Sequence, residues 1–72
     1  MPRTVYGQAL KLLSWIDHAE TIIECRRAAD RAEGFVLGLE TIKALNAPSI
    51  EALYLAFEQA ATLRGVVLEM DL

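Results

Sequence analysis

Apolar residues recur every three or four positions through the first third of the chain. The series is Val5, Ala9, Leu12, Ile16, Ala19 and Ile23. This spacing is typical of one face of an α-helix, and Thr4 is suitably placed to cap its N-terminus. Near Glu24 the apolar line shifts to a second series, Ile22, Cys25, Ala29, Ala32 and Val36. We therefore predict a first helix over residues 4–32 whose buried face rotates near Glu24.

Gly34 lies where this helix is expected to end. Glycine readily adopts the left-handed conformation that closes many helices, and Phe35 would then pack back on Ala29. The segment 35–45 again carries apolar residues at helical spacing and is predicted as a second helix. The alternative is a helix that continues through Gly34, because no proline or N-cap residue precedes Phe35.

The segment Asn46-Ala47-Pro48 separates the second helix from a third. Proline cannot continue the helix before it, and either Asn46 or Ser49 is a suitable N-cap for the next one. We predict the third helix over residues 48–64. Its inner stripe is predicted to contain Ile50, Leu53, Phe57, Ala60, Ala61 and Leu63, widened by Tyr54 and Leu55.

Residues 66–72 fit two patterns. Val66, Leu68 and Met70 alternate as in a strand, whereas Val67 and Met70 continue a helical spacing. A helix or irregular tail is favoured, because a lone strand has nothing to pair with in a helical chain. The whole chain, residues 1–72, is thus predicted to be one all-α domain: a helical hairpin or three-helix bundle, completed by dimerisation.

Composition strengthens the expectation of association. Of the 72 residues, 54% are apolar, and a domain of this size buries only about 60% of the surface that its unfolded chain exposes. Gly34 and Gly38 have the spacing that lets two helices cross closely. The small residues between Ala28 and Gly38 therefore indicate a close crossing, within the chain or between chains.

Charge and apolar run length argue against polyanions and membranes as partners. The chain has 7 basic and 10 acidic residues, a net charge of −3, whereas nucleic-acid binders gain affinity from an excess of Lys and Arg. The longest apolar run, Ala52 to Phe57, is far shorter than the roughly 20 residues of a membrane span. A single cysteine and the lack of a secretory leader favour the cytoplasm.

No arrangement of reactive side chains predicts catalysis, a metal or a cofactor. His18 is the only histidine and Cys25 the only cysteine, so a zinc site would lack ligands. Cys25 has no nearby base to form its thiolate and is expected to act as a small hydrophobe. Glu20 and Glu24 share a helix face and are interpreted as solvated acids. We therefore predict a protein that is not an enzyme.

The leading hypothesis is a small bacterial or phage interaction protein of the regulator, antiactivator, chaperone or antitoxin type. It would form a homodimer and bind a protein partner through apolar helix faces, with arginines orienting the complex. The predicted partner-binding residues are Trp15, Arg26, Arg27, Arg31, Phe35, Phe57, Val67 and Met70. The alternative is a small dimeric DNA-binding transcriptional regulator that places the Arg26–Arg31 segment on phosphate.

Overall fold

Three α-helices make up the part of the chain that the computed structural model describes, residues 1–70. They are α1 (Arg3–Asp17), α2 (Ile22–Thr41) and α3 (Ala47–Met70). Short connections make consecutive helices antiparallel, so α1 runs parallel to α3. Each helix packs against the other two, and the bundle measures 42 × 18 × 15 Å. The predicted all-α three-helix bundle is confirmed.

The core lies along the middle of the bundle and receives side chains from every helix. Leu12, Ile16 and Val36 are its largest fully buried side chains. The other buried apolar residues are Ala9, Ala19, Cys25, Ala32, Leu39, Ile50, Leu53 and Phe57. The stripe predicted for the N-terminal helix is therefore buried as expected from Ala9 to Ala19.

The chain turns at residues 18–21, which corrects the predicted continuous helix over residues 4–32. Thr21 caps α2: its hydroxyl accepts a hydrogen bond of 3.0 Å from the Glu24 backbone N–H. The Glu24 carboxylate accepts one of 2.8 Å from the Glu20 N–H. The first bond satisfies an N–H group that the start of a helix leaves unpaired, and the second holds the residue before the cap against the first turn. The shift of the apolar line near Glu24 is thus a turn between two helices.

Two other residues of the predicted first helix also differ from expectation. Helix α1 begins at Arg3 after Pro2, and no side chain caps it, so Thr4 is inside the helix. Ile23 is 64% exposed, because the turn places it on α2, where it points away from the core.

Helix α2 continues through Gly34, so the predicted end at this residue is wrong. One glycine costs a helix only about 1 kcal/mol relative to alanine, and tertiary packing of the flanking turns outweighs that cost. The helix closes at Lys43, which has a φ of 53°. Its N–H bonds to the Glu40 carbonyl at 3.1 Å, and the Ala44 N–H bonds to the Leu39 carbonyl at 2.9 Å. This is a Schellman motif with lysine in the usual glycine position.

Asn46 caps α3, which confirms one of the two predicted N-cap residues. Its side-chain oxygen accepts a hydrogen bond of 2.9 Å from the Ser49 N–H. The helix passes Gly65 and reaches Met70, beyond the predicted end at residue 64. The helical interpretation of the tail is therefore confirmed as far as Met70, and the last two residues of that prediction, 71–72, lie outside the described residues.

Candidate interaction surface

Helix α3 buries one side and leaves the other side apolar and exposed. The buried side contains Ile50, Leu53 and Phe57. We define the outer face of α3 as the exposed residues on the opposite side, Ala52, Leu55, Gln59, Leu63, Val66 and Met70. Their spacing of three and four positions places them along one line of the helix. Leu63 is 68% exposed and Met70 is 77% exposed.

No charge interrupts this outer face over its length of about 27 Å, at 1.5 Å per residue. The nearest acidic residues, Glu51, Glu58 and Glu69, lie along the border that faces α2. A hollow of about 500 Å³ lies beside Leu63 on this side of the helix. Contiguous exposed apolar surface of this extent is typical of a protein interaction site.

The apolar surface continues from α3 onto α1. Trp15 lies on the edge of α1 that meets α2, because its ring contacts Arg31. Helical phase places Tyr6 and Leu10 on the opposite edge of α1, next to α3. Both side chains are exposed. We call these two residues the α1 shoulder.

A hydrogen bond at the end of α1 fixes the register of α1 and α3. The Arg64 guanidinium donates to the Ala19 carbonyl at 2.7 Å. Counting back along both parallel helices at 1.5 Å per residue brings the α1 shoulder level with the N-terminal half of α3. The C-terminal half of α3 extends past the end of α1 at Asp17.

The outer face of α2 has a different character. It consists of the exposed residues Ile23, Arg27, Asp30, Gly34, Leu37 and Thr41. Charged residues and a glycine separate its two apolar side chains, so no continuous apolar surface forms. A Cβ atom added at Gly34 or Gly38 meets nothing within 4 Å. Within the described residues, the predicted close crossing at these glycines therefore does not occur inside the chain.

Two of the three predicted arginines, Arg27 and Arg31, lie next to the junction of α1 and α2. Arg31 stacks over the Trp15 ring, with its guanidinium carbon 5.1 Å from the ring centroid. Trp15, His18, Glu24, Arg27 and Arg31 surround a shallow cleft of about 370 Å³. The Nδ1 atom of His18 is hydrogen-bonded to the Ser14 carbonyl oxygen at 2.8 Å. The stacking ties α2 to α1 and occupies one face of the indole.

A groove of about 450 Å³ separates α2 from α3, with Glu33 and Glu58 on its two sides and Tyr54 and Phe57 in its lining. Burial raises the pKa of the Tyr54 phenol, and the negative charges of Glu40 and Glu33 raise it further. The groove is therefore acidic at its rim and keeps its phenol protonated.

The structure divides the predicted partner-binding residues into accessible and inaccessible ones. Arg26, Arg27 and Arg31 are exposed on α2, and Val67 and Met70 are exposed at the end of α3. Trp15 is 43% exposed, and Phe35 is half-buried against the core. Phe57 is only 4% exposed, so no partner reaches it unless the bundle opens.

Leu55 and Leu63 were missed as surface residues by the sequence reasoning. Leu55 and Leu63 were predicted to belong to the inner stripe, but the structure places both on the outer face. The signal was present in the helical phase: at about 100° per residue, Leu63 lies well over 90° from both Ile50 and Phe57.

The reactive side chains are dispersed. Among residues 1–70, no three His, Cys, Asp or Glu side chains form a group able to hold a metal ion. Cys25 is buried, and its thiol donates to the Ala61 carbonyl at 3.7 Å. This thiol contributes to helix packing as a small apolar group.

Comparison with protein-family models, curated proteins and solved structures found no match to this chain. Within residues 1–70, no helix combines the length and the apolar character that crossing a membrane requires.

Proposed function

We propose that this chain is a non-enzymatic protein-interaction module that binds a protein through the outer face of α3. In this proposal it acts in the cytoplasm of a bacterium or phage host, as a regulator, antiactivator, chaperone or antitoxin would. The observation that supports the proposal is the uncharged line from Ala52 to Met70, which stays exposed along the helix.

The free energy available from covering this face is substantial. Its large apolar side chains, Leu55, Leu63, Val66 and Met70, are about half to three-quarters exposed. Complete burial of such a side chain contributes about 1.5–3 kcal/mol, so covering the exposed part contributes about 1 kcal/mol each. A helical partner surface would gain this energy without reorganising the bundle.

The charges around the face favour a protein over a polyanion. Glu51, Glu58 and Glu69 line one border, and these carboxylates repel phosphate groups of nucleic acids and anionic lipids. The only basic residue of α3, Arg64, is directed at the Ala19 carbonyl. Arg27 and Arg31 of α2 lie instead at the junction of α2 with α1.

An affinity-capture experiment with matched variants tests the proposal. A tagged bait is produced in cells that also make the untagged chain, as wild type, Leu63→Glu and Leu37→Glu. Leu37 is the control, because it is an exposed helical leucine on the outer face of α2. We expect the wild type and Leu37→Glu to retain the same protein, either the untagged chain or another one, and Leu63→Glu to lose it.

Surface substitutions of this kind change stability by only about 0.5 kcal/mol, so circular dichroism of all three baits should show the same helicity. The proposal is contradicted if the folded wild type retains no protein above the Leu63→Glu background. It is equally contradicted if Leu37→Glu abolishes retention while Leu63→Glu preserves it.

A further inference from the structure

We propose that the occupant of the outer face of α3 is a second copy of this chain, whose own α3 packs against it in the antiparallel direction. This inference rests on the proposed function and names its partner. The two copies would be related by a twofold axis near Gln59, so that each copy presents the same surface to the other.

Side-chain size along the outer face favours the antiparallel direction. The N-terminal half carries Ala52 and Leu55, with Ala56 beside them, whereas the C-terminal half carries Leu63, Val66 and Met70. About an axis at Gln59, antiparallel pairing places Val66 of one copy over Ala52 of the other and Leu63 over Leu55, which allows close packing. Parallel pairing would oppose alanine with alanine and leave voids.

The shape of the bundle also favours the antiparallel direction. The N-terminal half of α3 lies beside the α1 shoulder, Tyr6 and Leu10, whereas the C-terminal half extends beyond the end of α1. In an antiparallel pair, the extended end of one α3 therefore reaches the α1 shoulder of the other copy. Both exposed apolar regions are covered by one symmetric contact.

The position of the charges is compatible with this contact. Glu51, Glu58 and Glu69 lie on the border of α3 that faces α2, whereas the α1 shoulder lies on the opposite border. A copy that covers the outer face and the shoulder leaves these glutamates at the solvent-exposed rim. At the twofold axis, the Gln59 amide can both donate and accept a hydrogen bond with its counterpart.

The available area is sufficient for a weak but specific dimer. Helix α3 has 24 residues and α1 has 15, so at 1.5 Å per residue and a width of about 10 Å their outward strips cover roughly 600 Å² per copy. Crystal-packing contacts mostly bury less than about 400 Å² per partner, and standard protein–protein interfaces bury about 800 Å² per partner. Complexes at this low end of the size range are often weak and transient, so we expect association in the micromolar range.

Sedimentation equilibrium of the purified chain tests self-association in the absence of any other protein. We expect the wild type and Leu37→Glu to be dimers at about 100 μM, and Leu63→Glu to dimerise at least tenfold more weakly. A wild type that stays monomeric at several hundred micromolar overturns the inference. So does an equal loss of association in both variants, provided that circular dichroism shows all three proteins folded.

The two proposals fail in distinguishable ways. If the purified chain is monomeric but the bait retains a different protein that Leu63→Glu loses, this inference is overturned and the proposed function stands. If the chain dimerises equally well with Leu63→Glu, this inference is overturned, and the proposed function is overturned with it only if the bait also retains no other protein that Leu63→Glu loses.

Cysteine cross-linking tests the direction of pairing. Single cysteines are introduced by Ala52→Cys, Gln59→Cys and Val66→Cys in a Cys25→Ala background, because disulfides form only between Cα atoms within about 7 Å. Under mild oxidation we expect Gln59→Cys to link to itself, and Ala52→Cys to link to Val66→Cys in a mixture. Self-linking of Ala52→Cys and of Val66→Cys would instead establish parallel pairing and overturn the proposed geometry.

Discussion

The outer faces of α2 and α3 are matched in size and spacing but opposite in chemistry. Each contains six exposed residues that recur every three or four positions. On the outer face of α2, Arg27, Asp30 and Gly34 separate Ile23 from Leu37. On the outer face of α3, the only strongly polar side chain is Gln59. Both helices bury an apolar stripe on their inner side, so the difference is not a requirement of the bundle fold.

This contrast locates the surplus apolar surface that the composition indicates. The sequence reasoning placed part of it between Ala28 and Gly38, but the glycines there face open space. The continuous part of the surplus lies instead on α3 and the α1 shoulder, whereas Ile23, Leu37 and Ile42 are exposed apart from it. Apolar residues all round a helix indicate that the helix is covered on more than one side. Helix α3 approaches this pattern, although α1 and α2 cover only one of its sides.

The largest expected effect separates the two sides of α3. Phe57→Ala should lower the free energy of unfolding by about 3–5 kcal/mol, because it leaves a cavity in the core. Leu63→Ala on the outer face should change it by no more than about 0.5 kcal/mol. Chemical denaturation of dilute protein measures both values, and a similar loss for the two variants would show that the outer face is part of the fold.

A double substitution on α2 should stabilise the bundle. Gly34→Ala and Gly38→Ala should together raise the free energy of unfolding by about 1.5–2 kcal/mol, because each removes a glycine from a helix interior with open space around it. Thermal unfolding gives the change, and sedimentation shows whether association is kept. Weaker association of a more stable double variant would mean that a second helix crosses at these glycines.

Arg31 provides a smaller test of what the charged side of α2 does. Arg31→Gln should cost about 0.5–1 kcal/mol, because it removes the stacking on Trp15. Arg26→Gln, which removes the same charge without such a contact, is the matched control. Trp15 is the only tryptophan, so its fluorescence reports the change directly. Equal costs for the two variants would assign the effect to net charge.

The smallest effect concerns the groove between α2 and α3. The folded-state pKa of Tyr54 lies above its usual value of about 10, so its contribution to stability is fully present below that pH. As the pH rises further, the unfolded chain loses the phenol proton first, and stability falls. Between about pH 9 and pH 11 the wild type should therefore lose more stability than Tyr54→Phe. Parallel losses would show that the groove does not hold the phenol neutral.

The helices and most of the core were predictable, because apolar spacing records which face of a helix is buried. The breaks were harder to predict. Thr21 and Glu24 have the spacing of a capping box, a signal present in the sequence and overlooked because the apolar series runs through it. The Schellman closure of α2 at Lys43 has no such signal in the sequence, since lysine adopts positive φ only where the surrounding chain imposes it.

The candidate surface was predictable only in part. Val67 and Met70 were identified because the tail is apolar, but Leu55 and Leu63 were assigned to the core. A stripe of apolar residues that nearly encircles a helix does not show which side faces the bundle. That side is fixed by the placement of α1 and α2, which also brings Tyr6 and Leu10 next to α3.

The central claim is that this chain associates through the outer face of α3 and not through that of α2. Backbone amide NMR spectra of the chain, recorded from about 10 μM to about 1 mM across the expected micromolar association range, test this claim most directly. We predict concentration-dependent shifts at Leu63, Val66 and Leu10, with Arg27 and Gly34 unchanged. Shifts confined to α2, or spectra that do not change with concentration, would contradict the claim.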